Sequence, residues 1–548
     1  MSEQEKSEGV FVRKASGLIR RVSPFQALSY SFQAPALLLV AIYMIWGTIL
    51  YPGANFLLGS WAVVVMYPCV LIYVLLSIAM PRSGGEYLYV SRSLGPGWGL
   101  FTSWQMTINS YIWPGLLTQF GVYYGVPPLL MAVGNATGNL GLRDLAVAIS
   151  DPGNPAYIWM FIMGFIFLIF SNLVHYLGVQ WVARVSVVAF FVIIVEFIVW
   201  TLIFGTSNPV SFVANVERNL GISFENDIVQ AAAATPGFTQ GTALTMSIFA
   251  GAIYVSQNTL ASTFPANFCG EIKSVAKSQA LAQLGSIALY GILYSFAAGL
   301  IYHGIGLEQY QAISQLTTIG AAAPYYSRAS ELFGTFPSFY LLSMFATDNV
   351  YLPILSSALY IVAMFCSVAA LPMGASRNVF AYSIDGIFPG FLSKVDRRGS
   401  PWILCLISAI MGFFTLYLAL YTLYLQMIAY STAIWFLGWI VLGIGAAAFP
   451  YAKGSRGIYE KAPPIVRTKI LGVPVLVILG ILGVISSAWI VYICILPAIT
   501  GGALALQPLL TTVAVCSIFP WIVYGLARLY NRSKHINLDI RFKEIPPD

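Results

Sequence analysis

Twelve apolar stretches, each of about 20 residues or more, dominate this chain and restrict what it can fold into. They run at roughly 25–50, 57–80, 98–123, 156–178, 180–204, 240–268, 279–303, 349–381, 401–422, 427–449, 471–496 and 506–530. At about 1.5 Å per helical residue, each spans the ~30 Å hydrocarbon core of a bilayer. Only 9% of the 548 residues are charged and 58% are hydrophobic, against about 25% charged in soluble domains. The expected fold is an all-α polytopic membrane protein with the lipid bilayer as its surroundings.

Lysine and arginine orient it. With both ends cytoplasmic, the two tails and the even-to-odd connections, with the adjoining helix ends, hold 24 of the 27 basic residues, leaving Arg143, Arg218 and Arg328 outside. The formal charge of +7 is therefore a topology signal rather than a nucleic-acid footprint. The first 22 residues mix Glu3, Glu5 and Glu8 with Lys6, Arg13 and Lys14, which predicts a cytoplasmic tail and a retained first helix rather than a cleaved signal. Unpaired cysteine spacings predict neither disulfides nor a metal site, and no Gly-x-x-x-x-Gly-Lys motif or other cofactor signature occurs. The three histidines, His175, His303 and His535, form no catalytic constellation, so an enzyme is not expected.

Two of the apolar stretches are interrupted. The first carries Ser29, Ser31, Gln33 and Pro35; the sixth carries Gly251, Ser256 to Thr259 and Pro265. Irregular backbone at membrane depth survives only where it is buried in protein or lines a cavity, and a matched pair of such breaks points to a substrate site. Stretches one to five (23–209) and six to ten (239–449) each open on a break, and five crossings per group make the second an inverted copy of the first. The stretches at 471–530 and a cytoplasmic tail at 531–548 lie outside this repeat. Long connections at 124–155, 205–239 and 304–348 all fall outside the cell, and Glu331 to Ala346 reads as a re-entrant or capping helix.

Three connections on the predicted cytoplasmic face carry motifs: Pro81, Ser83, Gly84, Gly85 and Tyr87 after the second stretch; Glu271 and Lys273 after the sixth; Ser376, Arg377, Asp385, Gly386 and Pro389 after the eighth. Together these resemble the amino acid-polyamine-organocation superfamily, in its prokaryotic amino acid permease branch, over residues 20–530. The resemblance implies a cell-membrane secondary transporter of amino acids working by alternating access. One departure stands out, since Ser31-Phe32-Gln33-Ala34-Pro35 occupies the place of the glycine-rich break usual in the first helix.

A zwitterion's carboxylate suits the positive N-terminal end of a half-helix, and its ammonium suits free carbonyls at a C-terminal end. The carboxylate is expected near Ser31, Gln33, Ala34, Pro35 and Ala36, and the ammonium near Phe249, Ala250, Gly251 and Ala252. The competing reading is that Pro35 and Gly251 only kink two helices for packing. Asn109, on a stripe with Thr102 and Gln105, either lines the cavity or bonds to a neighbouring helix. Ser367 either helps bind a coupling Na+ or bonds within its own helix. Glu196, the one acid deep in a span, either carries a coupling H+, anchors a cationic substrate, or is a structural acid. Arg82, Glu86, Glu271, Arg377 and Asp385 read as a cytoplasmic gate or as topology determinants. The alternatives to amino acid transport are a polyamine or cationic amino acid exchanger and, from another class, a non-transporting sensor.

Overall fold

The computed structural model describes residues 20–317, 326–396, 400–422, 425–500, 506–535 and 538. The chain is an all-α polytopic membrane protein. Among the described residues, eleven helical runs are long and apolar enough to cross a membrane, and one strand pair, Lys469–Ile470 with Val473–Pro474, forms a two-residue hairpin. The stretch at 240–268 is not one of the eleven. Its length is divided into Leu244–Ala250, a π turn at Gly251–Val255 and a 3-10 helix at Leu260–Ala266, none of which reaches span length alone.

Burial orders the helices into layers. The first run, Pro24–Leu50, is buried over 94% of its apolar window, whereas the last, Leu506–Ser533, is buried over only 11%. An apolar helix enclosed on all sides belongs to the interior of a large bundle, and one that is bare and apolar faces lipid. The last helix accordingly leaves Ile518, Ile522, Leu526 and Leu529 exposed. The helix Val475–Ile499 packs against Leu425–Ala448, and the last helix leans on the latter and on Pro96–Tyr123.

Local chemistry sets the first helix. Ser23 caps it: Ser23 Oγ accepts from the Gln26 amide at 3.3 Å while Gln26 Oε1 accepts from the Ser23 amide at 3.0 Å, with Pro24 in the first turn. The helix stops at Gln33 because Pro35 has no N–H to donate and Ala36 turns left-handed at φ 59°. After one 3-10 turn at Leu37–Leu39 a second half-helix runs over Val40–Leu50.

Among their described residues, the long connections at 124–155, 205–239 and 304–348 contain helices, Val126–Thr137, Leu140–Ser150, Pro209–Leu220 and Leu307–Leu316 among them. The single helix expected over Glu331 to Ala346 is two, Arg328–Phe333 and Phe339–Ala346. Gly334, at φ 83°, ends the first, and Pro337 stands before the second. The second is buried along nearly its whole length and sits as a plug beside the second half of the first helix.

Gly251 explains the approach of the sixth segment to the second. A Cβ built on it would lie 1.8 Å from the carbonyl oxygen of Gly59, so the two backbones touch with no room for a side chain. Overpacking of this kind costs about 1–3 kcal/mol. Gly251→Val is expected to lower the thermal unfolding midpoint of the purified protein by several degrees; an unchanged midpoint would show that the two backbones separate freely.

Candidate substrate site

The break in the sixth segment lies at Asn258-Thr259, where helix running from Leu244 through Gln257 gives way to the 3-10 helix at Leu260. Asn258 lies against the break in the first helix. Its Nδ2 donates to the carbonyl oxygens of Pro35 at 3.0 Å and Ala36 at 2.9 Å; the Ala36 oxygen also accepts from Leu39 N at 2.9 Å. One buried amide thus joins the two interruptions.

Around this crossing, other helices supply the remaining partners. Tyr290 OH donates to Phe32 O at 3.0 Å, Ser367 Oγ to Gln33 O at 2.8 Å, and Tyr340 OH to Leu38 O at 3.1 Å. Ser31 Oγ donates to Ser262 O at 2.5 Å and lies 2.9 Å from Ser286 Oγ. Gln33 Nε2 donates to Ser186 Oγ at 2.9 Å, so its side chain connects the first helix to Val179–Phe204. The break is therefore held open by hydroxyls and amides rather than by charge.

A cavity of about 30 Å³ opens beside the crossing, lined by Ala34, Pro35, Leu39, Tyr43, Trp113, Leu117, Gln257, Leu260, Ala261, Leu371 and Trp435. Its walls are aliphatic and aromatic. Trp435 stacks on Phe264 with ring centroids 5.7 Å apart and an interplanar angle of 3°, and Trp113 Nε1 donates to Ser431 Oγ at 3.2 Å. Gln257 contributes the polar side chain of the wall facing the sixth segment, its Oε1 accepting from Thr432 Oγ1 at 2.6 Å. The half-helix that starts at Leu37 has no side-chain cap, which leaves the first amides of that turn without the usual capping oxygen beside this cavity.

The sequence-derived candidates distribute unevenly around it. Ala34 and Pro35 line the cavity, Ala36 makes the left-handed turn, and Ser31 and Gln33 brace the break from behind. Phe249, Ala250, Gly251 and Ala252 lie about two turns ahead of Asn258, where the α-helix Leu244–Ala250 passes into the π turn Gly251–Val255. There Gly251 meets Gly59, and Phe249 packs edge-on against Tyr51 and Trp489. Asn109 is buried and donates to Gln105 O on its own helix at 2.7 Å, while Gln105 Nε2 reaches Cys516 O on the last helix at 3.0 Å. The residues of that helix in the wall are Trp113 and Leu117, one and two turns beyond Asn109 on the same stripe, and the spacing was the available signal for them. Nothing local marks Trp435, which arrives from a distant segment.

Glu196 does not line the cavity. It is buried where Val179–Phe204 packs on Tyr351–Ala370, accepts from Ser356 Oγ, and Ser356 in turn accepts from Trp200 Nε1 at 3.2 Å. Ser367 bonds both Gln33 O and, at 3.1 Å, Ala363 O of its own helix.

The charged candidates gather at the end of the bundle where the first helix begins. Arg377 and Glu271 form a two-pronged pair, Nε to Oε1 at 2.7 Å and Nη2 to Oε2 at 3.2 Å, with both side chains 3% exposed. The main chain doubles this link: the amides of Arg21 and Val22 donate to Glu271 O at 2.9 and 3.0 Å, and Lys273 N to Val22 O at 2.9 Å. Asp385 accepts from Tyr87 OH at 2.9 Å and lies 3.7 Å from Arg92, a residue that the motifs did not single out. Glu86 accepts from Tyr73 OH, Asn267 Nδ2 and Asn378 Nδ2, each at 3.1 Å. Burial holds the Glu86 carboxyl above its ordinary value, against an opposing pull from hydrogen bonds that include those of Asn267 and Tyr73. Arg82 stands ahead of the helix that starts at Gly85, so it shares no helix face with Glu86.

Buried breaks in two helices, a cavity where they cross and a surround of lipid-facing helices define a membrane transporter of small molecules. The family model described as Amino acid permease matches residues 22–500, most of the chain, and the protein belongs to that family of the amino acid-polyamine-organocation superfamily. None of the curated proteins matches the chain.

Asn258→Ala would take the side-chain donor from the buried Pro35 and Ala36 carbonyls, leaving Ala36 O only the Leu39 amide, at a cost of about 1–3 kcal/mol. The expected result is a folded protein with a lowered unfolding midpoint and transport reduced by about tenfold or more. Wild-type uptake by this variant would show that the two breaks need no tie.

Proposed function

We propose that the chain moves neutral amino acids by alternating access, from a site at the crossing of its two interrupted helices. The observation that carries this reading is the cavity walled by Pro35, Tyr43, Trp113, Gln257 and Trp435, with no charged side chain in its lining. The substrate carboxylate would meet the uncapped amides of the turn at Leu37 and Leu38, and the ammonium the carbonyls at the end of the half-helix that closes at Gln257. The carbonyl end is thus taken at Gln257 rather than at Phe249 to Ala252. Trp113, Trp435 and Tyr43 would meet an apolar side chain.

The architecture proposed with it has twelve spans in two inverted groups of five plus two flanking helices, with both ends in the cytoplasm of a cell-membrane protein. The charge distribution of the connections supports that orientation. A cavity of about 30 Å³ has room for about two waters. Substrate must therefore enter a more open state, reached by rocking the first and sixth helices against the rest.

A polyamine or cationic amino acid exchanger would need an anionic anchor in the wall. Glu196, the acid available in the spans, is taken up between two helices by Ser356 instead. The expected outcome in proteoliposomes is counterflow of labelled leucine, phenylalanine or a similar neutral amino acid, with lysine and putrescine failing to compete. Counterflow of lysine or putrescine alone would overturn the substrate class, and absence of counterflow with any amino acid would overturn transport.

Arg377, Glu271, Asp385, Arg92 and Glu86 form the inner gate in this reading, because their pairs join the starts and ends of the helices that must part. Removing one member of a buried pair costs about 3–5 kcal/mol in the state that contains it. In a protein keeping Cys269, which is buried beside Ser77 O, as its single cysteine, Arg377→Gln or Glu271→Gln is expected to raise the maleimide labelling rate at Cys269 several-fold. Unchanged labelling in both would dismiss the gate.

A further inference from the structure

A second, larger recess lies away from the crossing. It is a groove of about 730 Å³ between the last helix and the turn that follows the eighth segment, lined on one side by Ile384, Ile387, Phe388 and Pro389 and on the other by Val523, Leu526, Ala527, Tyr530, Asn531 and Lys534. Three features of this groove bear on what fills it.

Its apolar wall is continuous with the lipid-facing surface. Leu526 and Tyr530 line the groove while remaining 62% and 59% exposed, and Ile522 and Leu529 on the same helix are also bare. Its open end is basic. The last helix has 28 residues, about 42 Å at 1.5 Å per residue, and so overruns a ~30 Å hydrocarbon core by about two turns. Arg532 lies in the last turn and Lys534 just past the helix end at Ser533, both exposed, and that overrun suits them to the level of headgroup phosphates. Lys534 Nζ sits 4.3 Å from the centre of the Tyr530 ring and 2.5 Å from its hydroxyl, holding the ammonium over the groove mouth.

The third feature is mechanical. Asn531 Nδ2 donates to Gly386 O at 2.9 Å, so the groove's far wall is bonded to the residue that follows Asp385. Asp385 in turn holds Tyr87 and Arg92. Anything seated in the groove therefore bears on the turn that positions this buried cluster.

We propose that this groove is a binding site for one anionic phospholipid. Its acyl chains lie along Leu526, Val523 and Phe388, and its phosphate is met by Lys534 at the mouth, with Arg532 adding positive charge beside the groove rather than lining it. A bound lipid clamps the turn at 383–390 against the last helix and so stabilises the Asp385 cluster. The binding claim stands on the groove alone and does not depend on the substrate or on the gate proposed above; only its effect on transport rests on that reading.

Native mass spectrometry of the full-length protein in detergent, titrated with dioleoylphosphatidylglycerol or dioleoylphosphatidylcholine, tests it. One phosphatidylglycerol adduct per chain is expected, bound about tenfold more tightly than phosphatidylcholine. Arg532→Glu with Lys534→Glu is expected to abolish that preference, and Ala527→Trp, which fills the groove, to weaken both lipids. Equal binding of the two lipids, a phosphatidylglycerol adduct unaffected by both variants, or a dimer appearing in place of the lipid-bound monomer would each overturn the assignment. Counterflow measured in liposomes with and without phosphatidylglycerol then reports the gate separately: a binding site without an effect on transport leaves the lipid site standing and removes its link to Asp385.

Discussion

The pair of hydrogen bonds from Asn258 to Pro35 O and Ala36 O is the constraint on which the centre of this protein depends. A helix can be opened at membrane depth only if its freed carbonyls find donors, because neither lipid nor a packed interior offers water to replace them. Proline and a left-handed alanine open the first helix, and the donor comes from the point where the sixth segment opens. Each break satisfies the other. Tyr290, Tyr340 and Ser367 extend the same logic outward, each supplying a hydroxyl to a carbonyl of the first helix from a different element. The cavity lies at this crossing, where the two unwound backbones meet.

The opposite character rules at the end of the bundle that holds Arg377. There the chain buries full charges, which are costly to desolvate and persist only when paired and hydrogen-bonded on every side. Arg377 with Glu271 meets that condition, Glu86 meets it through three neutral donors, and Asp385 is held by Tyr87 with the Arg92 guanidinium 3.7 Å away. Such clusters have little freedom for intermediate geometries: they are made or broken as units. That property suits a contact which must be firm in one arrangement and absent in another, and it explains why the backbone of Arg21 to Lys273 is tied in at the same place.

The candidate site was legible in the sequence in proportion to how local its causes are. Pro35 cannot donate a main-chain hydrogen bond, and with the polar residues Ser29, Ser31 and Gln33 around it the first interruption could be placed to within a residue or two, although Pro114, Pro497 and Pro520 stand inside continuous helices. In the sixth segment Gly251, Ser256 to Thr259 and Pro265 together marked the interruption; Gly251 opens a π turn and serves the close approach to Gly59. The turn itself falls at Asn258-Thr259, and the Asn258 side chain only gains a purpose once the first helix lies beside it. Asn109 illustrates the same limit: the polar stripe that contains it satisfies itself and the last helix, while Trp113, one turn further on, takes the cavity wall.

Hydropathy by itself determined that this chain is an all-helical polytopic membrane protein, because runs of that length and apolarity have no soluble alternative. The three motif-bearing connections likewise pointed to the amino acid permease family, whose match spans residues 22–500. The tertiary structure alone decided which polar groups within the spans face one another: Asn258 with Pro35 and Ala36, Gln33 with Ser186, Glu196 with Ser356, Arg92 with Asp385. Partners separated by up to some hundreds of residues leave no periodic trace in a sequence. Their pairing is set by how the helices pack, and it is that packing which brings the two interrupted helices together at one cavity.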